Sequence, residues 1–72
     1  MTDDKALVKK IAVRLRKARK VAGLTQVEVA EKAGISINHY AQIERGEVNP
    51  SASKLLQIIK AVGVSSEEIL GK

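Results

Sequence analysis

Two carboxamide side chains, Asn38 and Gln42, stand four residues apart, with Ile37 beside the first. On a helix that spacing places both on one face. A carboxamide can hold adenine at two atoms, and an apolar side chain suits a thymine methyl. The chemistry on offer is the reading of base edges, although a solvated helix face accounts for the same residues. Arg and Lys are absent from these positions, which favours contacts to A/T-containing sequence. Nothing else in the chain suggests a reaction centre. There is no paired nucleophile and base and no phosphate-cradling glycine loop, so an enzyme is not expected. Cysteine is absent and His39 is the only histidine, so no metal site and no cofactor is expected.

The charge distribution points the same way. The net charge is +5. Eight basic residues fall between Lys5 and Lys20 with no acidic one among them, and the rest of the chain is close to balanced. Clustered Lys and Arg are the electrostatic footprint of a nucleic-acid binder, and also of an ordinary solvated face. No apolar run approaches the length of a membrane span, and the opening Met1-Thr2-Asp3-Asp4 does not resemble a secretory signal. A cytoplasmic location is therefore expected.

Seventy-two residues allow a single domain, 1–72, with a small core. Tyr40 is the only aromatic, so that core must be aliphatic. Without disulfide or metal, oligomerisation is the expected support.

The elements that would position Asn38 and Gln42 are helices. Apolar residues recur at steps of three and four, and strand-type alternation is absent, which predicts an all-α, five-helix domain. The helices are expected at about 5–22, 26–33, 37–45, 51–62 and 66–70. The first carries Leu7, Val8, Ile11, Leu15, Ala18 and Ala22 as its stripe and ends at Gly23. Thr25 with Glu28, and Ser65 with Glu68, have the spacing of a capping box. Ser36 caps the third helix, with Ile35 and Tyr40 at staple spacing. The fourth, with Leu55, Leu56, Ile59 and Val62 as its stripe, begins after Pro50, with Asn49 and Ser51 both open as its cap. Between the second and third helices, Gly34-Ile35-Ser36 forms the tight connection of a helix-turn-helix unit.

Several stretches match together: Arg19, Gly23-Leu24-Thr25-Gln26, Ala30, Gly34-Ile35-Ser36, Gln42-Ile43-Glu44-Arg45-Gly46, Asn49-Pro50-Ser51, Leu55-Leu56 and Val62-Gly63-Val64. On these residues the segment 16–70 resembles the phage repressor and Cro type of helix-turn-helix DNA-binding domain, with 1–15 left as an extension of the first helix. The resemblance implies that residues 36–45 form a recognition helix in the major groove, with Ile37, Asn38 and Gln42 at base edges. It implies phosphate contacts from Thr25 and Gln26, at a helix N-terminus that offers free amides. Ser36, His39 and Arg45 join them, with exposure alone an alternative for His39. Gln26 is further expected to brace the recognition helix, and Arg19 and Glu44 to form a partly buried ion pair. Arg14, Arg16 and Lys17 either touch flanking phosphates or only attract DNA at long range.

The expected function is sequence-specific binding of double-stranded DNA by a small transcriptional regulator of repressor type. A homodimer on a pseudo-palindromic operator is expected, joined through the C-terminal region with Val48, Ile69 and Leu70 as exposed apolar residues. The protein would be bacterial or phage-encoded and nucleoid-associated, with no small-molecule ligand. A restriction-modification controller, an antitoxin-type regulator and a coactivator-like protein-interaction module remain alternatives on the same fold.

Overall fold

A computed structural model describes residues 5–71. They form five helices: α1 (Lys5–Val21), α2 (Gln26–Ala33), α3 (Ile37–Glu44), α4 (Ala52–Val62) and α5 (Ser66–Leu70). No strand occurs among the described residues.

The caps explain most boundaries. Thr25 Oγ1 accepts from the Glu28 amide, and the Glu28 carboxylate accepts from the Thr25 amide at 2.8 Å, a complete capping box at the start of α2. Gly34 then ends α2 in the left-handed region at φ 72, with its amide and that of Ile35 returning to the last turn. Ser36 Oγ accepts from the His39 amide at 3.0 Å and starts α3. Ser51, rather than Asn49, caps α4 by accepting from the Lys54 amide. At α5 only half of the expected capping box forms, with Ser65 Oγ accepting from the Glu68 amide. The first and third helices each stop one residue earlier than the sequence suggests. Ala22 turns out exposed and Arg45 becomes the C-cap of α3.

The core draws on all five helices: Ile11 and Leu15 from α1, Val29 and Ala30 from α2, Tyr40 and Ile43 from α3, Leu55, Ile58 and Ile59 from α4, and Ile69 from α5. Three expectations, on Leu56, Ile69 and Val48, are corrected by the packing. Leu56, read as part of the α4 stripe, is 52 % exposed, and Ile58 takes the buried place instead. Both spacings fit a helical stripe, and only the position of α4 against α2 decides between them. Ile69, expected on an exposed dimer surface, is 1 % exposed. The short α5 packs back on α1 and α4 and buries it, while Leu70 remains partly exposed and Val48 packs half-buried against the core.

Candidate nucleic-acid interface

The amphipathic division of α3 sets up the site. Tyr40, Ile43 and Glu44 are buried, so this face is fixed to the domain. Ile37 and Asn38 are exposed and Gln42 is half-buried, so these three stand on the outward side. Ala30, small and buried on α2, lets the two helices approach closely, and Ile35 packs into the turn between them. The turn therefore holds α3 by its inner face and leaves its outer face clear.

The inner end of α3 carries the one buried charged residue among those described. Glu44 is 2 % exposed. Its carboxylate accepts from Arg19 Nε at 2.6 Å and Arg19 Nη2 at 3.2 Å, a two-point contact with α1. It also accepts from Gln26 Nε2 at 3.1 Å and from the Tyr40 hydroxyl. Arg19 spends a further donor, Nη1, on the Leu24 carbonyl at 2.9 Å. One carboxylate thus ties α3 to α1 and α2, and the turn before α2 is tied to the same guanidinium.

The electrostatics follow from these contacts. Burial pushes the Glu44 carboxyl pKa up, but the donors Arg19, Tyr40 and Gln26 together outweigh it and hold the group below the ordinary value. Hydrogen bonding to Glu44 raises Arg19 against a smaller opposing effect of burial. Burial, reinforced by the adjacent Glu44 carboxylate, pushes the Tyr40 hydroxyl far above its usual range. At neutral pH, Tyr40 is therefore a proton donor to an ionised Glu44.

The remaining residues expected at the interface are scattered around α3. Thr25 is exposed at the α2 N-terminus, with its hydroxyl oxygen engaged by the Glu28 amide. Gln26 is half-buried and directed at Glu44. Ser36 is exposed and His39 half-buried. Arg45 is exposed, and its guanidinium meets Glu47 at 2.7 Å and 3.1 Å rather than standing open. Arg14, one of the cations considered for flanking phosphates, donates instead to the Ile69 carbonyl at 3.2 Å and ties α1 to the last turn of α5. Tyr40 was legible only as a core aromatic. Its polar role had one sequence signal, the four-residue spacing to Glu44 on a shared helix face.

Five helices, with α2 and α3 joined by the tight Gly34-Ile35-Ser36 turn and α3 held by its inner face, define a helix-turn-helix domain. A helix-turn-helix family model matches residues 15–69, and the chain belongs to that helix-turn-helix family. It is 40 % identical over 62 residues to the immunity repressor protein of Bacillus phage phi105, covering 86 % of this chain and 43 % of the repressor. Overall it spans about half the length of the curated relatives it matches. Among solved structures it resembles the clp gene regulator ClgR from C. glutamicum, with a TM-score of 0.86 at 30 % identity over 89 % of this chain and 82 % of that one. It also resembles the restriction-modification controller protein C.Esp1396I, solved as a tetramer in complex with its natural 35-base-pair operator. There the TM-score is 0.79 at 29 % identity over 89 % of this chain and 95 % of the controller.

Proposed function

We propose that this domain binds double-stranded DNA sequence-specifically, as the DNA-reading part of a small transcriptional repressor, with α3 in the major groove. The observation that carries this reading is the division of α3. Its inner face is locked by Tyr40, Ile43 and Glu44, while Ile37 and Asn38, in its first turn, and Gln42, one turn after Asn38, face outward. A recognition helix enters the groove with its N-terminal residues at base edges. Ile37 then meets a thymine methyl, and Asn38 and Gln42 hold adenines, each good two-point contact being worth roughly 1–3 kcal/mol of discrimination. Thr25, Gln26, Ser36, His39 and Arg45 contact phosphates around it and fix its register. Gln26 has a second role as a brace, through its bond to Glu44. The protein acts as a homodimer on a pseudo-palindromic operator, with half-sites about 34 Å apart. Leu70, partly exposed at the C-terminal end, belongs to the dimer surface.

Selection from a pool of random duplex DNA tests the proposal. The expected product is an A/T-containing palindrome, and Gln42→Ala should relax the preference at one symmetry-related pair of positions. Recovery of no shared motif, with binding only at low salt, would refute sequence reading.

The resemblance to a controller bound to its operator supports a second reading, control of a restriction-modification system by the same DNA-binding chemistry. Genes for a methyltransferase and an endonuclease beside this one would favour it.

A further inference from the structure

An open cleft of about 550 Å³ lies between the N-terminal half of α1 and the loop that follows α3. Lys5, Lys9, Arg45, Glu47, Val48 and Asn49 are among its walls. Its α1 side precedes residue 15, where the family match begins. The loop rests directly on α1. A Cβ added at Gly46 would lie 3.2 Å from Lys9 Cγ and 3.4 Å from Lys9 Cα, so Lys9 is in contact with the turn that carries Arg45 and Glu47.

The charges in this cleft are unequal. Among the described residues, three cations, Lys5, Lys9 and Arg45, face one carboxylate, Glu47. That carboxylate occupies the Arg45 fork, Nε to Oε2 at 2.7 Å and Nη2 to Oε1 at 3.1 Å. A guanidinium grips phosphate with the same two-point geometry. Lys5 and Lys9 have no ion-pair partner among the described residues. The cleft therefore has two cations unpaired among the described residues and a third whose anion-binding edge is filled by the protein itself.

Its position suits a duplex backbone. The eight residues of α3 span about 12 Å. The major groove is about 12 Å wide. A helix with its N-terminal residues at base edges therefore brings its C-terminal end, where Arg45 stands, close to a phosphate strand.

We propose that this cleft is a DNA-phosphate site flanking the bases read by α3. Lys5 and Lys9 are phosphate-contacting residues, and Glu47 is an internal anion that a DNA phosphate displaces from Arg45. The proposal rests on the DNA-binding reading above. Because Arg45 must release Glu47 to engage, it adds little net affinity, and Lys5 and Lys9 carry the contact.

The test is the salt dependence of binding to a labelled mixed-sequence duplex, followed by fluorescence anisotropy. The proteins are wild type, K5Q/K9Q, E47Q, R45Q/E47Q and, as a control for net charge, E67Q on α5. Gln replaces Lys at exposed helical positions with little change in helix propensity, so the fold is retained. K5Q/K9Q should flatten the slope of log affinity against log salt by between about one and two. E47Q should bind about two- to fivefold tighter, as expected from release of one exposed ion pair. It should also exceed E67Q, and R45Q/E47Q should lose the gain. A wild-type slope in K5Q/K9Q, or an E47Q affinity no greater than that of E67Q, overturns the cleft while leaving DNA binding in place. Failure of the wild-type protein to bind any duplex at low salt removes the DNA-binding reading and this proposal together.

Discussion

Replacing Arg19 by Ala should destabilise the whole domain, and the size of the effect can be worked from the contacts of Glu44. In the native protein the Glu44 side chain is 2 % exposed and that of its partner Arg19 12 %. Arg19→Ala removes the only cation bonded to Glu44 among the described residues and leaves it with two uncharged donors, Gln26 and Tyr40. Breaking one side of a buried ion pair costs about 3–5 kcal/mol. The two remaining donors and the slight exposure of Arg19 place the loss at the lower end of that range. The Leu24 carbonyl loses its donor as well. Typical stabilities scale to roughly 4–11 kcal/mol for a chain of this length, so a large share is removed. Thermal unfolding followed by far-ultraviolet circular dichroism is the assay. A domain of this size loses about 4–8 °C per kcal/mol, so the midpoint should fall by at least about 12 °C. Arg19→Met combined with Glu44→Leu should lose less than Arg19→Ala, because no buried charge is left behind. A midpoint within about 4 °C of wild type in Arg19→Ala would refute the reasoning, since it would mean that the buried carboxylate does not need its cation.

Other outcomes follow from the same geometry. Glu44 and Glu28 both have carboxyl pKa values held below the ordinary range, Glu44 by Arg19, Tyr40 and Gln26 against burial, and Glu28 by the Thr25 amide and hydroxyl. A depressed folded-state value contributes stability that is present above the unfolded value, about 4.3, and is lost as pH falls through the folded one. Urea midpoints should therefore be flat from pH 7 to about 5 and drop below about 4.3, less steeply in Glu44→Gln; an equal drop in that variant would count against the assignment. Tyr40 has the opposite sign. Its folded-state value is raised, so stability present below about pH 10 is lost above it, and tyrosinate absorbance should appear only as the fold is lost. Tyrosinate forming in the folded protein near pH 10 would contradict the buried bond to Glu44. Gly34→Ala should cost about 1–2 kcal/mol for the left-handed backbone alone, because a Cβ there meets nothing within 4 Å. Gly46→Ala should cost more, since its Cβ also crowds Lys9; equal urea midpoints for the two would argue against that contact.

The sequence was most informative where local chemistry decides the outcome. Thr25, Ser36 and Ser65 cap helices, and Gly34 ends one, because hydrogen bonding and backbone freedom act over a few residues. It was least informative where two helices must meet. Leu56 and Ile58 fit an apolar stripe equally well, and the choice between them depends on where α2 lies. Ile69 could be read as exposed because a five-residue helix has no periodicity long enough to show its inner face. Arg45 was expected at a phosphate and Arg14 at a flanking phosphate or acting at long range, yet each has a partner within the domain: Arg14 the Ile69 carbonyl and Arg45 the Glu47 carboxylate two residues away. For long flexible cations, composition gives the charge and leaves the partner undetermined. Tyr40 shows the reverse limit. Its apolar ring accounted for it fully in a core reading, and the hydroxyl that joins it to Glu44 carried no separate signal beyond spacing.

If α3 reads bases as proposed, the buried network bears on that reading through simple leverage. An isolated helix of eight residues is marginal in water, so α3 has its position from what grips it. The polar grip is at its C-terminal end, where Glu44 is held from α1 by Arg19 and from α2 by Gln26. Asn38 lies six residues toward the other end, about 9 Å along the axis. A tilt of about 10° pivoting at Glu44 would carry the Asn38 backbone about 1.6 Å sideways. Hydrogen bonds to base edges have a working range of only about 0.5 Å in length, so that tilt is enough to lose them. Tyr40, one turn before Glu44 and fully buried, gives the helix a second fixed point and turns a pivot into a clamp. On that proposal, selectivity for sequence rests in part on Arg19, Tyr40 and Glu44, to which no DNA contact is assigned. In the same proposal the basic face of α1 has no such lever on the bases, and its contribution is to affinity through charge.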